Sequence, residues 1–160
     1  MNKNFRKNVG IIIINQSKQV LIAKRSFSDL DNNDDLWQFP QGGIKNNESP
    51  VDALHREIKE ELNLDKNDFT ILGQSSNWLC YNKKFKKNNI VYDGQKQKWF
   101  FVQLKNNHIN KITQYLKNNE HELKEIKFVS YWSPINSVID FKKNVYKKAL
   151  TEFLSIYNFI

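Results

Sequence analysis

Glu57, Glu60 and Glu61 stand at i, i+3 and i+4, a spacing that gathers three carboxylates on one side of a helix. Three like charges so placed repel one another, and helix propensity gives no reason to cluster them instead of interleaving lysines. A cluster of oxygen ligands is, however, what a hard divalent cation such as Mg²⁺ requires beside substrate phosphates. The chemistry that follows is metal-assisted attack of water on a phosphoanhydride. An isolated acidic string is equally compatible with a solvated helix face relieved by Lys59, so the flanking residues decide.

The helix carrying these groups is the best-specified element of the chain. Ser49 is suited to cap it, Pro50 to its first position, and Asp52 to close a variant capping box three residues on. Val51, Leu54, Ile58 and Leu62 recur at three- and four-residue spacing and form the apolar stripe expected to face a core. Asn63, tolerant of the left-handed conformation, is expected to end the helix.

Around it, Val9–Asn15 and Gln19–Lys24 read as a strand pair joined by a polar turn, and strands are expected at Phe69–Leu72, Trp78–Tyr81, Trp99–Leu104 and Ile126–Trp132. Ser26–Asp35, with two Asn and four Asp, reads as an exposed acidic loop, and Asn82–Lys98, with six Lys, as a basic one. A final amphipathic helix is expected from about Phe141 to Tyr157, with Val145, Ala149, Leu150, Phe153 and Leu154 inward. Strands, helix, strands and helix make an α+β or α/β sandwich, and 160 residues without an internal linker make one domain, 1–160.

The formal charge is +8, from 25 Lys and Arg against 17 Asp and Glu, which favours polyanionic partners. Cys80, the single cysteine, sits in the run WLCY and reads as a buried thiol that forms no internal disulfide, in keeping with a reducing setting. The apolar run Ile11–Ile14 is too short for a signal sequence, and nothing approaches the roughly 18 apolar residues of a membrane span. A soluble, cytoplasmic protein with no membrane partner is expected.

The segment GGIKNNESPVDALHREIKEELNL, residues 42–64, resembles the Nudix box: Gly42, then Glu48, then Arg56, Glu57, Ile58, Glu60, Glu61 and Leu64 in register, with Asn63 where the family has glycine. Beyond the box, FRKNVGIIIIN, LWQFPQGGI, GQKQKWFFVQL, FVSYW and DFKKNVYKKAL resemble the bacterial RNA 5′-pyrophosphohydrolase family, allied to the dinucleoside polyphosphate hydrolases. The resemblance implies a Nudix fold, a mixed β-sheet sandwiched between helices. It implies a divalent metal, Mg²⁺ or alternatively Mn²⁺, held by Glu57, Glu60, Glu61 and a further carboxylate, Glu122, with backbone carbonyls at Gly42 or Gly43 assisting. Glu120 and Glu125 compete with Glu122 for that role. Glu48 and Arg56 are implied to pair and lock the box, and the general base to be Glu57 or Glu122. The two glycines are read as permitting a sharp turn and close approach.

Arg6, Arg25, Gln41 and Lys98 match residues near the substrate's 5′ phosphates, and Phe141 with Lys142 match an aromatic and basic pair beside the leading nucleotides. The implied activity is removal of pyrophosphate from 5′-triphosphorylated RNA, which promotes mRNA decay. The rival substrates are dinucleoside polyphosphates such as diadenosine tetra- or pentaphosphate, and a rival of another class is a non-catalytic Nudix-fold nucleotide sensor.

Overall fold

In the computed structural model, residues 2–25, 37–118 and 122–160 are described. The expected acidic loop Ser26–Asp35 and the competing Glu120 lie outside them.

The strands are β1 (Phe5–Ile14), β2 (Val20–Arg25), β3 (Trp37–Gln38), β4 (Gln41–Gly43), β5 (Phe69–Gln74), β6 (Leu79–Lys87), β7 (Ile90–Leu104) and β8 (Leu123–Val129), with helices α1 (Pro50–Leu62), α2 (Ile109–Asn118), α3 (Pro134–Ser137) and α4 (Asp140–Phe159). All eight strands join one mixed sheet. β1 and β7 pair in parallel over Phe5–Ile14 and Gly94–Gln103, while the other pairings are antiparallel. Ile11 to Ile14 are fully buried, because β1 has a core on each face. Val9, Ile11 and Ile13 meet Leu54, Ile58 and Leu62 of α1 and Ile112 of α2, whereas Ile12 and Ile14 meet Tyr146, Leu150 and Phe153 of α4. This is the expected sandwich.

Helix α1 has the expected caps. Ser49 Oγ accepts from Asp52 N, and the reciprocal bond runs from the Ser49 hydroxyl to the Asp52 carboxylate instead of from the Ser49 backbone. Such a cap contributes about 1 kcal/mol. Asn63 closes the helix in the left-handed region at φ 54°, its N–H bonded to Lys59 O, so asparagine does what glycine does elsewhere. Ala53, Leu54, Ile58 and Leu62 face the core, but Val51, in the first turn at the end of the stripe, remains 38% exposed.

Three other expectations are corrected. Asn82–Lys98 is not a loop: β6 and β7 form a long hairpin closed at Asn88 and Asn89, both with positive φ (49° and 63°), as a tight two-residue hairpin turn demands. Phe85 and Tyr92 stack across it with ring centroids 5.3 Å apart. Its lysines are largely solvated, so no apolar alternation betrays the strands. Cys80 is exposed, since its neighbour Tyr81 takes the inward position of the pleat. The last strand ends at Val129, with Tyr131 turning back onto α4 through a bond from its hydroxyl to Leu150 O. No helix among the described residues is long and apolar enough to cross a membrane.

Candidate active site

The carboxylate helix is held against β4 by one side chain. Arg56 Nε and Nη2 meet the two oxygens of Glu48 at 2.7 and 2.9 Å, and Nη2 also donates to Gly43 O at 2.8 Å. Its remaining amine, Nη1, donates to Glu57 at 2.6 Å and Glu60 at 3.2 Å. This fork ties the loop after β4 to α1, the pairing implied for Glu48 and Arg56. The guanidinium, with the Lys45 N–H assisting, holds Glu48 down to about 2 and is itself driven above its ordinary range. Because Gly43 O accepts from Arg56, only the Gly42 carbonyl of the two implied for metal is not engaged by this clamp.

Glu57 and Glu61 are only 7% and 6% exposed, whereas the Glu60 side chain is half exposed. Burial raises the Glu57 carboxyl above its usual range against the pull of Arg56, and burial together with the neighbouring Glu57 pushes Glu61 up to about 8. Glu61 Oε2 is buried without a hydrogen-bond partner. Two desolvated, mutually repelling carboxylates, one with an orphaned oxygen, are a donor set that suits a divalent cation. Among the described residues no three His, Cys, Asp or Glu side chains are already gathered as a ligand set, since Arg56 stands between Glu57 and Glu60.

The glycines act by absence of a side chain, not by a turn. Neither has a positive φ; both lie in the extended strand β4. A Cβ on Gly42 would meet the Glu57 carboxyl carbon at 1.8 Å, and one on Gly43 the Arg6 Nη2 at 1.9 Å. Consecutive residues of a strand point to opposite faces, so these two glycines admit a carboxylate on one face and a guanidinium on the other.

On the Arg6 face lie Asn8, Gln41 and Gln97, joined by bonds from Gln97 Nε2 to Asn8 Oδ1 (2.8 Å) and Gln41 Oε1 (3.0 Å). Arg25, at the end of β2, is ion-paired with Glu122; burial raises Glu61 and Tyr81 and lowers Lys142, and Arg25 lies near enough to add a smaller downward pull on all three. Lys98 is turned aside, its Nζ donating to Ser76 O at 3.2 Å. Phe141 packs its ring on Tyr81 at 5.2 Å. Lys142 is buried, with Nζ 3.0 Å from Gln38 Oε1 and over the Tyr81 ring. Thus Arg6, Arg25, Gln41 and the box carboxylates share one neighbourhood, Phe141 and Lys142 adjoin it through Tyr81 and Arg25, and Lys98 is directed elsewhere.

A profile of the NUDIX domain matches residues 4–153. The chain belongs to the Nudix family. Among curated Nudix relatives, the RNA pyrophosphohydrolase of Pasteurella multocida (strain Pm70) is 43% identical over 158 residues, covering 95% of this chain and 75% of that protein. That of Aliivibrio salmonicida is 42% identical over 158 residues, covering 95% of this chain and 87% of that one. Such identity along nearly the whole chain places it among the Nudix RNA pyrophosphohydrolases. Solved structures share the Nudix fold: the E. coli dihydroneopterin triphosphate pyrophosphohydrolase at TM-score 0.64 (16% identity, 94% of this chain and 99% of that chain) and a C. elegans Ap4A hydrolase complex at 0.62 (19%, 94% and 98%).

Sequence reasoning missed Asn8, Gln97, Tyr81 and Tyr146 in this Nudix site. Tyr146 is fully buried on α4 and its hydroxyl accepts from Phe39 N at 2.8 Å, fixing the segment that leads into Gly42. Neither Asn8 nor Gln97 stands out in the sequence, because each lies in a polar run, FRKN and DGQKQK, that precedes the apolar part of its strand. Lys87 was also missed: burial first, and then Arg6 and Arg25, push its ammonium down against the pull of Glu57, so the hairpin tip lies within electrostatic reach of the site.

Proposed function

We propose that this Nudix pyrophosphohydrolase removes pyrophosphate from the 5′-triphosphate end of RNA, adding one water across the phosphoanhydride to leave a 5′-monophosphate, and does so with Mg²⁺. Mn²⁺ is the substitute of matching chemistry. The observation that carries the chemistry is the glycine pair, which brings the buried carboxylates and the Arg6 guanidinium to the two faces of one short strand. RNA as the substrate is supported by the curated relatives named for it.

Glu57, Glu60 and Glu61 would hold the cation, with Glu122 a fourth carboxylate once released from Arg25. When bound, the cation neutralises phosphate charge and lowers the pKa of water. The protein's own groups do the rest. Arg6 and Arg25 receive the phosphates with charge-assisted bonds, and Gln41 adds a neutral donor beside them. Arg56 and Glu48 keep α1 in register with β4. The general base is assigned to Glu57 in preference to Glu122, because Glu57 is buried with a raised pKa and Glu122 is exposed. Phe141 and Lys142 are assigned to the leading nucleotides, Lys142 through its place against Gln38 and Tyr81. Lys98 would serve the phosphates only after leaving Ser76 O.

The test offers triphosphorylated RNA and a dinucleoside tetraphosphate side by side with Mg²⁺. A higher kcat/KM on RNA is expected. Preference for the dinucleotide would move the assignment to a dinucleoside polyphosphate hydrolase, and release of no pyrophosphate from the RNA would end it.

A further inference from the structure

Gln97 is fully buried in the middle of β7, where an apolar side chain would be the ordinary choice. Its Nε2 donates both its protons, to Asn8 Oδ1 at 2.8 Å and Gln41 Oε1 at 3.0 Å, while its own oxygen is buried without a partner. A buried acceptor left without a donor is destabilising. The fold keeps this arrangement although a hydrophobic residue would avoid the cost. The register explains what it touches: Asn8 lies opposite Gln97 on one side and Gly43 on the other, and Gly10 opposite Gln41. Arg6, two residues before Asn8, occupies the space above Gly43 on the same face. The row is therefore a guanidinium followed by two carboxamides, and one buried hub joins the two carboxamides.

A carboxamide has an accepting end and a donating end, and its usefulness to an anion depends on which is presented. With the oxygens of Asn8 and Gln41 drawn to Gln97, their NH₂ groups point away from it. We propose that Gln97 is a positioning residue that fixes the Asn8 and Gln41 amides with their donors toward the substrate's polyphosphate, extending the donor row begun by Arg6. The proposal rests on the polyphosphate substrate assigned above. It adds Asn8 to the groups that touch the phosphates and gives the buried glutamine a reason. Were the hub reversed, two carbonyl oxygens would face the phosphates beside Arg6 and oppose its attraction.

The experiment uses the full chain and reads binding and turnover separately. Asn8→Asp keeps the oxygen that accepts from Gln97 and replaces only the outward donor by a carboxylate oxygen. Gln97→Glu removes the hub's donors, and Gln97→Leu removes its polarity altogether. Expected is a rise of about 10-fold or more in KM for triphosphorylated RNA in Asn8→Asp and Gln97→Glu, a smaller rise in Gln97→Leu, and kcat within about threefold throughout. A structural role alone would lower kcat and thermal stability together in all three variants, with no such order in KM, and would overturn the proposal.

A second reading needs no turnover. In the ¹⁵N-labelled wild type with Mg²⁺, guanosine triphosphate bearing a methylene group in place of the α,β-bridging oxygen should shift the Asn8 and Gln41 side-chain NH₂ signals on binding. Unmoved NH₂ signals with the analogue bound would overturn the proposal even if Gln97→Glu failed to fold. If the wild type leaves RNA uncut yet shows these shifts, the substrate reading falls and the assignment of the amides stands.

Discussion

The two faces of β4 differ in what they lack. The α1 face, reached over Gly42, holds acidic groups short of positive charge: Glu57 is raised by burial, Glu61 is pushed up to about 8, and Arg56 is the guanidinium shared among Glu48, Glu57 and Glu60. The α4 face, reached over Gly43, gathers donors instead: Arg6, the amide row and, deeper, Lys142. A cation satisfies the first and a polyanion the second. On the proposed function a metal–polyphosphate complex would carry both, and a strand three residues long, Gln41–Gly43, would separate chemistry from grip.

The hardest blow to that division is on the carboxylate face. Glu57→Gln and Glu61→Gln should each lower kcat by at least ~10²-fold, the order seen when a principal electrostatic stabiliser is removed. Thermal stability should be largely kept, since each change is close to isosteric and relieves the mutual repulsion of two desolvated carboxyls. A near wild-type rate at saturating Mg²⁺ would falsify the metal assignment.

The glycines sharpen the contrast, because they differ by one position and one face. Gly42→Ala places a methyl group 1.8 Å from the Glu57 carboxyl carbon, and Gly43→Ala one 1.9 Å from Arg6 Nη2. Both displaced groups are the ends of flexible side chains, so the fold should survive. Expected for Gly42→Ala is a loss of about 10-fold or more in kcat, and for Gly43→Ala a rise in KM of similar order with kcat largely kept. Equal changes in both constants for both variants would mean that the faces do not act separately.

How far these faces were legible in the sequence depended on the range of the contacts. The α1 face is built from residues 42–64, where caps, helical spacing and the box are local, so Ser49, Pro50, Asn63 and the Glu48–Arg56 pair were readable from a short string. The α4 face is assembled from Arg6, Asn8, Gln41, Gln97 and Lys142, which meet through the pairing of β1 with both β4 and β7 and the return of α4. Spacing along the chain is silent about such pairing. The hairpin failed for another reason: its strands are solvated lysine-rich segments whose pairing rests on the Asn88–Asn89 turn and the Phe85–Tyr92 stack.

Smaller effects are expected from the arginines. Arg6→Ala and Arg25→Ala should each weaken binding of triphosphorylated RNA by roughly 1.5–3 kcal/mol, the worth of a hydrogen bond to a charged group. Arg25→Ala should carry an additional signature, because it takes the guanidinium away from the Glu122 carboxylate: the Mg²⁺ concentration for half-maximal rate should fall, whereas Arg6→Ala should leave it unchanged. If the two variants share one metal dependence, Glu122 takes no part in holding the cation.

The remaining contrast is one of stability and concerns Lys142, the donor deepest in the α4 layer. Burial, with Arg25 nearby, pushes its ammonium from 10.5 down to about 7, and its side chain is nearly inaccessible. Below pH 7 both the folded and unfolded chains carry the proton, so this residue gives no slope of stability with pH. Between about 7 and 10.5 the unfolded chain keeps a proton that the folded chain has released, so stability must rise with pH. Each pH unit in that window contributes at most about 1.4 kcal/mol. Lys142→Met fills similar volume without the charge and should remove this slope, leaving the contributions of all other groups common to both proteins. Urea unfolding of the pair from pH 6 to 9.5 measures the difference: it should be flat at the acid end, with the variant the more stable, and should shrink steadily above about 7. Parallel curves across the whole range would show that the ammonium stays hydrated and charged, and that the α4 face keeps a mobile cation where the geometry places a fixed one.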